Sequence, residues 1–95
     1  MWGYWKDYPK QYRNGQEYAN IDGRLYSEHA CEHLVPSYLR EAGAQARGYG
    51  IPPSYVEDVI RRGTSYSESG GKTRYEYGTL KVVVNDFGAV VTIMN

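Results

Sequence analysis

SYVEDVIRRGTSYSESGGKTRYEYGTLKVVVNDFGAVVTIM, residues 54–94, carries the change of period that decides the fold. Up to Gly63 the apolar residues Val56, Val59 and Ile60 recur at helical spacing; beyond it the pattern alternates. Ser54 and Glu57 form an S-x-x-E capping box, which predicts a helix over residues 55–62 with Gly63 as its C-terminal stop. SYSE, a Ser-Gly-Gly turn and KTRYEYG then predict one hairpin. TLKVVV and AVVTIM, parted by Asn85-Asp86-Phe87-Gly88, predict a second. These last two strands are apolar on both faces, which suits the centre of a sheet or a covered position.

Upstream, Ser27 is a plausible N-cap for a helix starting at Glu28, with Glu28 and Glu32 suiting the helix dipole. Leu34, Val35, Tyr38, Leu39 and Ala42 continue the helical spacing, while Pro36 ends or kinks the helix near Leu34. Residues 43–50, GAQARGYG, read as a loop. Residues 1–25 show no clean period. They hold six of the chain's aromatic residues, with turn signals at Asn14-Gly15 and Asp22-Gly23, and read as an aromatic arm packed over something else. The expected organisation is an aromatic-rich arm over 1–25 and one domain over 26–95. Its expected fold class is α+β, with N-terminal helices packed on one face of a small antiparallel sheet of three to four strands.

The chain has 95 residues, enough for one domain with a modest core. Eleven cations balance eleven acids, so any electropositive site must come from local placement. Eleven tyrosines suit either base stacking or a small core short of leucine and isoleucine. The single cysteine, Cys31, makes no internal disulfide. No apolar run approaches a membrane span, and the first residues do not look like a secretory signal.

Three short motifs require judgement. SGGKT resembles the end of a phosphate-binding loop, but Tyr66 stands where the leading glycine belongs and a strand follows. DFG at 86–88 lies in a turn without the other kinase elements. HACEH, residues 29–33, matches the H-x-x-E-H pattern, and His29 and His33 are one helical turn apart. A catalytic zinc needs a third ligand, for which only a carboxylate such as Glu57 or Glu68 is left, and the chain is too small for that protease class. The bland reading of His33 is a solvated helix flank. His29 sits in the first helical turn, where a neutral imidazole near a phosphate suits acid–base cleavage of RNA. In KTRYEY, alternation sets Lys72 and Arg74 on one face as a phosphate clamp, and Thr73, Tyr75 and Tyr77 on the other. Thr92 is a lone hydroxyl in an apolar strand. Arg61 and Arg62 close the capped helix, where cations also suit the dipole.

YSEHA (26–30), GIPPSYVEDVIRRG (50–63) and LKVVVNDFGAVVTI (80–93) resemble the C-terminal toxin modules of bacterial polymorphic toxins. These modules are released by contact-dependent inhibition and Rhs-type proteins, and many are ribonucleases of the fold shared by barnase, colicin D and RelE-like toxins. The resemblance covers residues 25–94. It implies a metal-independent endoribonuclease, without cofactor, that cleaves RNA and often tRNA. His29, Lys72 or Arg74, and Thr92 would be catalytic, with Arg61, Arg62, Tyr75 and Tyr77 contacting RNA. It also implies a monomer that no membrane anchors, delivered as the C-terminal part of a larger bacterial protein into a target cell's cytoplasm, and a cognate immunity protein. The alternative is a non-catalytic protein-binding module, antitoxin-like or used in assembly.

Overall fold

A computed structural model describes residues 5–35 and 50–95. After a short 3₁₀ turn at Trp5–Asp7 come strands β1 (Lys10–Arg13), β2 (Gln16–Ile21) and β3 (Arg24–Tyr26), then helices α1 (Glu28–Leu34) and α2 (Pro53–Arg62). Strands β4 (Thr64–Glu68), β5 (Lys72–Tyr77), β6 (Leu80–Val84) and β7 (Val90–Met94) complete the chain. All seven strands form one sheet in the order β1-β2-β3-β7-β6-β5-β4. Every pairing is antiparallel except β3 with β7, which is parallel through Tyr26 and Val90.

This corrects the expected fold class: the sheet is mixed and has seven strands, not three to four. The extra strands come from the residues expected to be an arm. Asn14-Gly15 and Asp22-Gly23 both take positive φ (52° and 79°, 53° and 89°), which closes two-residue hairpin turns that match strand twist. Arg13 therefore pairs with Gln16, and Ile21 with Arg24. The expected boundary at 25/26 falls inside β3, and Ala19, Ile21 and Tyr26 enter the same core as the helices.

Both helices cover one face of the sheet. Ala30, Cys31 and Leu34 of α1 and Val56 and Val59 of α2 meet Ala19, Ile21, Tyr26, Leu80, Val82, Val84, Val90 and Ile93. Val90 and Ile93 both reach this core because β7 bulges: Val84 pairs with Val90 but Val83 with Thr92, leaving Val91 over. Ser27 clamps α1 to that bulge. Its hydroxyl accepts from the Ala30 N–H (3.1 Å), as the N-cap reading requires, and donates to the Val91 carbonyl (2.9 Å).

Helix α1 ends at Leu34, and Val35 is extended (ψ 137°), as a residue before proline prefers. The expected helical residues Tyr38, Leu39 and Ala42 and most of the expected loop lie outside the described residues. Helix α2 starts with Pro53 in its first turn and has no side-chain cap, so the Ser54–Glu57 box does not form. Glu57 is drawn instead to Arg24 on β3. Gly63 ends α2 in an extended conformation (φ −76°) and not a left-handed one. A Cβ there would lie 2.5 Å from the Val59 carbonyl oxygen and 2.8 Å from that of Glu76, so the glycine is needed for close approach. Among the described residues no helix is long and apolar enough to cross a membrane.

Candidate functional site

The residues that the sequence nominates do not converge. Thr73, Tyr75 and Tyr77 share the helix-covered face, where Tyr75 packs against the core, so Lys72 and Arg74 project from the open face. Thr92 is on that open face too, since it pairs with Val83, which pairs with Arg74. His29 belongs to α1 on the other side, and the sheet stands between it and the cations. Arg74 is already engaged. It donates to Glu68 (2.6 Å) and Glu76 (2.7 Å), and its guanidinium lies 4.8 Å from the centre of the Tyr66 ring. Lys72 is exposed opposite Glu68. At the end of α2, Arg61 pairs with Asp58 and Arg62 is exposed. Tyr77 is exposed near the far end of β5. His33 is not a solvated flank: it is buried at 5% exposure, with its Nε2 3.1 Å from that of exposed His29.

A different group of residues converges where the β2–β3 turn meets the start of α2. Arg24 Nε donates to Glu57 Oε2 and Nη2 to Oε1, both at 2.9 Å, while Nη1 donates to the Gly88 carbonyl at 3.1 Å. Two parallel bonds and a third anchor fix the guanidinium and carboxylate in one plane and one position. The Glu57 hydrogen bond also raises the Arg24 pKa, so the cation is permanent.

Two clefts flank this pair and share Asp22 and Glu57. One, of about 510 Å³, is walled by Ile21, Tyr26, Pro52, Pro53 and Ser54. Tyr26 is fully buried and, among the described residues, its hydroxyl has no hydrogen-bond partner. Burial, then the negative charge of Glu57, holds its pKa well above the usual tyrosine range, so the phenol keeps its proton. The other cleft, of about 360 Å³, is polar and rimmed by Gln11, Arg13, Arg24 and Phe87. Arg13 lies 4.4 Å over the Phe87 ring, which stands edge-on to Tyr18 at 5.6 Å. Asn85 shapes the turn that presents Phe87, accepting from the Phe87 N–H (3.2 Å) and the Ala89 N–H (2.9 Å). Among the described residues Arg13 has no carboxylate partner. The cleft therefore combines a held carboxylate, a fixed guanidinium, the Asp22 carboxylate and a second guanidinium resting on an aromatic ring. That set can bind a phosphate and move a proton beside it.

Comparison with protein-family models, with curated proteins and with solved structures finds no match for the chain. In the sequence Glu57 has the position of a capping residue or zinc ligand, and no motif singles out Arg24 or Arg13. The Asp22-Gly23 dipeptide could have set Arg24 opposite Ile21 through a two-residue hairpin. Nothing in the pattern joins Arg24 to Glu57, 33 positions further on.

Proposed function

We propose that the chain is a metal-independent endoribonuclease, the reading its resemblance to polymorphic toxin modules implies, and that it works at the Arg13–Arg24–Glu57 cleft. The observation that carries this is Arg13: a cation without an ion-pair partner among the described residues, held on Phe87, at the rim of the cleft that contains the Arg24–Glu57 pair. A chain of zero net charge must concentrate its attraction for RNA in such a place. Glu57 takes the proton from a ribose 2′-hydroxyl. The oxygen attacks the adjacent phosphorus, and the bond to the 5′ oxygen breaks. Arg24 and Arg13 meet the charge that builds on the phosphate oxygens, and the proton returns through water to the leaving 5′ oxygen. The products are a 2′,3′-cyclic phosphate and a 5′-hydroxyl end. Phe87 offers a ring face on which a base can stack. A tRNA substrate, an immunity protein and delivery within a larger protein are implied by the resemblance alone; acidic residues would suit such a partner at the Arg13 rim.

The test is incubation of the purified chain with total RNA in EDTA, beside Glu57→Gln. A general base contributes ~10²–10⁴-fold, so the variant should cleave at least a hundredfold more slowly at the same far-ultraviolet circular dichroism. Equal cleavage by the two proteins would exclude Glu57 as the base. The second reading, a non-catalytic protein-binding module, is favoured by β4. All five of its residues are exposed, and it stands at the sheet's outer edge with main-chain groups open to a partner strand. A folded parent that cleaves no RNA would select it.

A further inference from the structure

The histidine pair on α1 has no part in that cleft, and its geometry has a use of its own. His29 and His33 are separated by four residues, so both rings project from one side of the helix. Their Nε2 atoms face each other at 3.1 Å, with ring planes at 88°. Two nitrogens 3.1 Å apart, each ~2.05 Å from a shared ion, subtend ~100° at it, between the octahedral and tetrahedral angles. Once both rings carry their proton on Nδ1, ring rotation turns the two Nε2 lone pairs to that common point. His33 is buried and His29 exposed, so one ligand is held by packing and the other borders solvent.

We infer that His29 and His33 form a two-histidine site for a divalent transition-metal ion of the zinc–copper class. Imidazole nitrogens are the ligands that this class prefers, and magnesium or calcium would reject them. Cys31 does not join: it is fully buried in the core between the helix and the sheet. Among the described residues no cluster of three histidine, cysteine or acidic side chains exists, so the two imidazoles are the ligands assigned to the ion. A site with two protein ligands is exchangeable and braces α1. This inference stands apart from the nuclease reading.

The experiment is calorimetric titration of the untagged chain with zinc, copper and magnesium chlorides, followed by thermal melts. Two variants accompany it, His29→Ala and His29→Gln; the position is exposed, so both should fold. The parent should take up one equivalent of zinc, bind copper more tightly in the Irving–Williams order, ignore magnesium, and melt several degrees higher with zinc. Both variants should bind zinc at least tenfold more weakly and lose the shift in Tm. If the parent binds zinc no more tightly than the variants do, or if magnesium displaces the ion, the site does not exist and the contact is only a hydrogen bond between the two rings.

Discussion

At residue scale, the Arg24–Glu57 pair and the Tyr26 hydroxyl of the neighbouring cleft have opposite accounts. The Arg24–Glu57 pair is half-exposed (29% and 42%), so its bidentate bonds contribute on the order of 0.5–1 kcal/mol to folding. On the proposed mechanism Glu57→Gln should therefore lower activity far more than Tm. Tyr26 is the reverse. A buried donor without a partner costs roughly 1–3 kcal/mol of desolvation, so Tyr26→Phe should leave stability unchanged or raised. Urea denaturation measures this, and a clear destabilisation would show that the hydroxyl has a partner. Tyr26 and Cys31 together set an alkaline limit. Both acids have raised folded pKa values, from 10.0 and 9.0 respectively. Above pH 9 the unfolded chain therefore holds fewer protons than the folded one, and stability falls as pH rises. Tyr26→Phe combined with Cys31→Ala should flatten that fall in melts from pH 8 to 11; an unchanged slope would place its origin elsewhere.

At the scale of the element, the hairpins of residues 64–94 could be read because alternation and glycine turns agree there. The N-terminal strands could not, although their turns carried the hairpin dipeptides Asn14-Gly15 and Asp22-Gly23. Six aromatic residues in 25 blurred the period, and Ala19 and Ile21 are too few to reveal an inward face alone. The capping box at Ser54 failed for another reason: Arg24 competes for the Glu57 carboxylate from a distant strand. Gly63 has the sequence position of a helix stop, but its requirement is spatial. Gly63→Ala drives a methyl group into the Val59 and Glu76 carbonyls, and such overpacking costs typically ~1–3 kcal/mol. Chemical denaturation should show a loss of that size. A neutral Gly63→Ala would mean that α2 and β5 can separate without cost.

Across the whole molecule, the parallel junction of β3 with β7 joins the N-terminal meander to the C-terminal one, and α1 lies over it. The site depends on this junction, because Arg13 and Arg24 come from one meander while Glu57 and Phe87 come from the other half of the chain. Sequence periodicity reports neighbours along the chain, so it found the cations of β5 and not this cluster. A fragment of residues 26–95, the unit that the sequence suggested, removes β1, β2 and most of β3 and exposes the edge of β7. It should show no cooperative melt, whereas a stable fragment would make the N-terminal strands dispensable.

The cleft and the cations of β5 are two competing places for the proposed cleavage of RNA, and single-turnover assays of Arg13→Ala and Arg74→Ala, each at low and high salt, separate them. A cation that stabilises a transition state is worth roughly 3–4 kcal/mol at any salt, whereas a steering charge fades as salt rises. The cleft account predicts a loss of at least a hundredfold for Arg13→Ala at both salt concentrations. Arg74→Ala, whose charge Glu68 and Glu76 already neutralise, should cleave at close to the parent rate. The opposite result, a large salt-independent loss at Arg74 with Arg13→Ala unaffected, would contradict the account and move the active site to the β5 cations.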